Sequence, residues 1–145
     1  MKLIIRLKHL NQCLLMLLCC ALSPNLLASD SVVQQWKQGL SGARLTSYSG
    51  SVISSNSTLT VINFCESGEY SYYREGSWSV SGSAAGASNQ KITGRWDIKK
   101  LANSVELTYV TDQGLVGSFA IYLQTNGKVN VGGKAYAVQK QGAGC

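Results

Sequence analysis

The 145 residues predict an all-β fold: an antiparallel, up-and-down meander of about eight strands closing into a small barrel, with a short N-terminal helix. Three observations carry this. Short stretches of β-branched and aromatic residues recur from Arg44 to Val138, several in the period-2 alternation of half-buried strands. Tight-turn signals separate them: Glu66-Ser67-Gly68, Asp112-Gln113-Gly114, Asn126-Gly127 and Gly132-Gly133. A meander with one apolar face also leaves open edges unless it closes or meets a second sheet.

Residues 1–28 read as a secretory signal peptide. Lys2, Arg6 and Lys8 form a basic start, Leu14 to Leu22 is an apolar run interrupted by cysteines, and Ala28 precedes the expected cleavage. The run is too short to span a bilayer comfortably. Lipidation at Cys19 or Cys20 is the alternative, although Leu18 and Cys19 are a poor match to the small residue that should precede a lipidated cysteine. Cleavage leaves a single domain, 29–145, periplasmic or secreted, with no membrane span. It removes three of the 13 basic residues and none of the seven acids, leaving ten against seven, a net charge of +3. No basic run is dense enough for nucleic acid. Of five cysteines, Cys65 and Cys145 remain, and a pair in an exported domain reads as one disulfide. That bond would return the C-terminus to the second strand, as closure requires.

In chain order, Asp30 to Leu40 predicts a helix. Asp30 or Ser31 would cap it, Val32, Val33, Trp36 and Leu40 share one face, and Gly39 and Gly42 end it. It reads as a lid on the sheet, with partner binding as the alternative. Arg44 to Tyr48 is a weak first strand. Thr58 to Tyr73 is a strand, a three-residue Gly turn and a second strand. Leu59 and Val61 fall out of phase with Ile62 and Phe64, which suggests a bulge near Val61-Ile62. Tyr72 and Tyr73 must point to opposite faces. Gly76 to Val80 continues or adds a strand. Ser81 to Gln90 has no large apolar residue to bury and reads as a mobile loop. Ile92, Trp96 and Ile98 then alternate with Asp97 and Lys99, and Val105, Leu107 and Tyr109 with Glu106 and Thr108, so Glu106 could face Lys99 across the ladder. Asn126-Gly127 predicts a two-residue hairpin with positive φ at both positions. Phe119 to Leu123, Lys128 to Val131 and Ala135 to Val138 complete the meander.

The chemistry is read mostly by exclusion. The only histidine, His9, lies in the signal, so domain 29–145 lacks the commonest general base and metal ligand. Histidine-dependent triads are thereby excluded. No Gly-x-Ser-x-Gly elbow, phosphate loop or pair of Cys-x-x-Cys motifs occurs. The acids are scattered; Glu66 and Glu69 flank one turn and read as solvated. No catalytic residue, metal or cofactor is implied. The aromatic cluster invites a binding hypothesis, with Tyr72, Tyr73, Arg74 and Trp78 as the candidate surface, because aromatics beside arginine are what hot spots use. Trp96 reads as core.

The stretch Phe64-Cys65-Glu66-Ser67-Gly68-Glu69-Tyr70, the helical segment with Trp36, Gly94-Arg95-Trp96, Asn126-Gly127-Lys128-Val129 and Gly133-Lys134-Ala135-Tyr136 together resemble the small lipocalin-like (calycin-type) barrels of exported bacterial proteins. A lipocalin carries its Gly-x-Trp on the first strand, whereas this chain carries it mid-way. The resemblance implies binding rather than catalysis. Two activities follow as expectations: recognition of another envelope or secreted protein, as an inhibitor or accessory factor, and carriage of a small apolar ligand. Trp96, Leu107, Phe119 and Ile121 are expected to fill the interior, which favours the first.

Overall fold

A computed structural model describes residues 25–50, 56–80 and 84–145. Residues 1–24, including His9, Cys13, Cys19, Cys20 and most of the expected signal, lie outside the described residues. The unit Val32–Cys145 holds the barrel.

Helix α1 spans Asn25–Leu40. It begins upstream of Asp30, so Asp30 and Ser31 are inside the helix and not at its start. Leu26, Leu27 and Ala28 are good helix formers and give no local reason to stop there. The far end matches the sequence: Gly42 takes a φ of 73°, and Ser41 N–H donates to Lys37 O at 2.9 Å. Val33, Trp36 and the buried Leu40 pack on the core, and Lys37 pairs with Asp97 at 2.7 Å. The segment Val32–Leu40 therefore lies over the end of the barrel where β1 begins.

Eight strands follow: β1 (Arg44–Ser49), β2 (Ser57–Phe64), β3 (Glu69–Val80), β4 (Ala84–Lys100), β5 (Val105–Thr111), β6 (Val116–Leu123), β7 (Val129–Val131) and β8 (Lys134–Gln139). Each pairs antiparallel with its neighbour in sequence, and β1 pairs with β8 to close the barrel. The inward phase runs through Leu45, Thr60, Ile62, Phe64, Tyr70, Ile98, Leu107, Ile121, Val129 and Tyr136, all buried.

Four local expectations are corrected. The β1–β2 and β2–β3 registers run unbroken through Val61 and Ile62, so there is no bulge. Thr60, Ile62 and Phe64 face in; Leu59 and Val61 take the other face, each half-buried. Residues 84–90, read as loop, form the first part of β4, paired from Val80↔Ala84 to Arg74↔Gln90. A ladder needs only backbone, and the long β3 supplies it; residues 81–83 are outside the description. The Asn126-Gly127 loop has positive φ at Gly127 but not at Asn126. Gly127 N–H donates to Gln124 O, and Gln124 N–H to Lys128 O, which makes a three-residue loop closed by glycine. The same two-bond pattern recurs around Gly68 and Gly114, at 84° and 82°. Finally, Trp96, Leu107, Phe119 and Ile121 do not fill the interior.

Candidate functional site

Inner residues divide the barrel in two. Leu45, Ile98, Ile121 and Val129 pack the end nearer α1. The other end contains a cavity of about 330 Å³, within the range of small-molecule sites. Its lining runs from buried Phe64 and Leu107 through half-buried Trp96, Tyr72 and Ile92 to half-buried Lys134 and exposed Gln90 and Gly132, which form the rim.

Glycines explain how so small a barrel keeps a hollow. Gly117 is the cross-strand partner of Tyr109, and a Cβ there would collide with the Tyr109 ring. A Cβ on Gly132 would come within 2.7 Å of Phe119 Cδ1. With neither Cβ present, the two rings lie along the wall, stacked at 5.5 Å and 18°. Tyr70 meets Tyr109 edge-on at 6.0 Å, its own ring passing over Gly94. Phe64 and Trp96 form a second edge contact at 5.0 Å, and Trp96 Nε1–H donates to Cys65 O at 3.4 Å. Trp96 is thus half-buried and both packs and lines.

The rim is polar on one side. Lys134 Nζ donates to the buried Thr60 Oγ1 at 2.8 Å and stands 5.8 Å from the Tyr136 ring centre. Loss of solvent holds the Lys134 ammonium below its ordinary pKa, and the positive Arg74 adds to this. Burial first, then Tyr72, push the Tyr136 hydroxyl up to about 12 against the opposing effect of Arg74. Tyr136 is therefore neutral throughout the physiological range. Burial first, then Tyr109 and Asp112, raise Tyr70 as well.

The four candidate surface residues separate. Tyr72 lines the cavity, and Arg74, two residues on in the same phase, acts electrostatically on Lys134 and Tyr136. Tyr73 takes the outer face and donates to Glu75 Oε2 at 3.0 Å, which raises its pKa. Trp78 lies in β3 opposite Gly86, and its side chain is outside the description. Cys65 and Cys145 are joined, with Sγ atoms 2.00 Å apart. Glu66, in the β2–β3 turn, and Glu69, the first residue of β3, are both exposed. Among the described residues no group of three or more His, Cys, Asp and Glu could hold a metal ion, and no helix is long and apolar enough to cross a membrane.

Sequence reasoning missed Lys134, Tyr136, Gly117 and Gly132. One signal was present: in Lys134-Ala135-Tyr136-Ala137-Val138 the lysine shares the phase of Tyr136 and Val138, so it must face in. No protein-family model matches the chain, and no match was found among curated proteins or solved structures.

Proposed function

We propose that this protein is an exported binding barrel that holds a small, mostly apolar molecule in its interior. The carrying observation is the aromatic-walled cavity of about 330 Å³. Its lining offers hydroxyls, one amide and one ammonium but no carboxylate or thiol, which supports binding over transformation. Cavity and wall are what a lipocalin-like carrier needs. Export, with cleavage near Ala28, is supported by the basic-then-apolar start of the sequence and by the Cys65–Cys145 bond. The test is calorimetric titration of the full chain with 1-octanol, followed in parallel by Trp96 fluorescence. One saturable site is expected; heat and fluorescence that never saturate would remove the reading.

A second reading, recognition of another protein, has its own observation. β5 ends at Thr111 opposite Gly94, so from Ala84 to Ile92 the edge of β4 that faces away from β3 has no strand partner among the described residues. Exposed Val110, Leu115 and Val116 adjoin the point where that edge opens. An extended segment of a partner would add there as a strand. Hydrogen exchange of residues 84–92 in an envelope extract separates the readings: new protection supports strand addition, and unchanged exchange argues against it.

A further inference from the structure

We infer that the ligand carries an anionic head, such as a carboxylate, and that Lys134 and Arg74 receive it at the rim while its apolar body lies among the aromatic walls. This deepens the cavity-binding reading and rests on it.

The charge arrangement carries the inference. Among the described residues the only ion pair is Lys37–Asp97, at the far end of the barrel, so neither Lys134 nor Arg74 is neutralised by a carboxylate. Lys134 is partly stripped of water and repelled by Arg74, and an anion placed between the two cations offsets both costs. Lys134 is already oriented. Its ammonium has three N–H donors, Thr60 accepts one, and the other hydrogens remain for a ligand. Arg74 is the register partner of Thr60 and of Gln90, so both cations and an amide surround one point of the rim.

The acids of this region do not compensate them. Glu75 is on the outer face, bonded to Tyr73. Asp112 sits at the β5–β6 turn, where it accepts from Thr93 Oγ1, and its charge is felt by Tyr70. The Tyr136 hydroxyl, on which Arg74 acts, is pushed up to about 12 and adds no negative charge at neutral pH.

Volume sets the body. At liquid water's share of about 30 Å³ per non-hydrogen atom, the 330 Å³ cavity takes roughly eleven such atoms. A chain of about eight carbons fits with its carboxylate at the rim.

The test compares octanoate, 1-octanol and octylammonium on the full chain by calorimetry. Octanoate is expected to bind about tenfold or more tightly than 1-octanol, with octylammonium weakest, as expected for a hydrogen bond to a charged group. Lys134→Gln and Arg74→Gln should each bring the octanoate-to-1-octanol affinity ratio, measured on the same variant, close to one, and Lys134→Arg should restore it. Arg74 is exposed, so its variant keeps the test alive if Lys134→Gln misfolds. Equal binding of all three ligands, or octanoate affinity insensitive to Arg74→Gln, would overturn the anion while sparing the cavity reading. No binding of any of them would overturn both.

Discussion

Removing the Cys65–Cys145 bond tests how this barrel is held shut. β1 and β8 meet over only three pairs, Arg44↔Gln139, Leu45↔Val138 and Thr46↔Ala137. Beyond them, Ala143 N–H donates to Gly42 O at 3.1 Å, and the disulfide then ties the last residue to the β2–β3 turn across a separation of 80 residues. In the chain-entropy model, closing a loop of that length removes about 15 cal/mol/K from the unfolded ensemble, about 4.5 kcal/mol at 25 °C. Domains of this class have only about 5–15 kcal/mol in total, so the bond accounts for a large part of the stability. The perturbation is the double variant Cys65→Ala, Cys145→Ala, unfolded in urea and followed by tryptophan fluorescence and circular dichroism. With m of about 1.5 kcal/mol/M, the midpoint should fall by about 3 M. The unfolded chain should also be more expanded, which raises m. Native-state hydrogen exchange should show residues 44–46 and 137–139 losing protection before the β2–β3–β4 ladder does. A loss below about 1 kcal/mol at unchanged m would refute the loop-closure argument and leave the three-pair seam sufficient.

Three further outcomes follow from the packing and the charges. Gly94→Ala would drive a Cβ into the Val110 carbonyl and to 2.8 Å from Thr111 Cα, both backbone, so a cost of about 3 kcal/mol or more is expected in the same urea assay. Gly117→Ala meets only the movable end of the Tyr109 ring; it should cost about 1–3 kcal/mol, push that ring into the lumen, and weaken octanoate and 1-octanol alike by calorimetry. An unchanged affinity for both would show that the ring does not bound the site. For pH, the hydrogen bond from Lys37 holds the Asp97 carboxyl below its ordinary value. Its contribution is present above the unfolded pKa of about 4 and is lost as pH falls through the lower folded value. Both partners are substantially exposed, so Asp97→Asn should cost under about 1 kcal/mol at pH 7 and progressively less as the pH falls below about 4.

Much of the fold was legible because its signals are local. Turn glycines must adopt positive φ, and Gly68, Gly114 and Gly127 do. The alternation of Ile92, Trp96 and Ile98, and of Val105, Leu107 and Tyr109, needs no knowledge of neighbours, and it placed Lys99 opposite Glu106 correctly. The misreadings share one cause: they depended on what lay alongside. Leu59 and Val61 are apolar yet face outward, half-covered. Residues 84–90 have nothing to bury and still form a strand, because β3 runs on to Val80 and offers its backbone from Arg74 to Val80.

The site was harder to read because a side chain's volume and the space it occupies are different quantities. Counting Trp96, Leu107, Phe119 and Ile121 as filler assumes that inward residues project toward the barrel axis. Here the direction of each ring depends on its cross-strand neighbour. Tyr109 faces Gly117 and Phe119 abuts Gly132, and each ring takes the volume its partner's side chain would have used. The same aromatic content set opposite valines would have had to occupy the lumen. A glycine aligned with an aromatic on the next strand is thus the sequence feature that separates a lined barrel from a filled one, and it becomes visible only once the register is known. Lys134 follows the same logic. Its phase places it inside, and its charge becomes informative only when the register brings Thr60 and Arg74 to the same level of the wall. A cation that must face in, with no acid to meet it, is the feature on which the proposed anionic ligand rests.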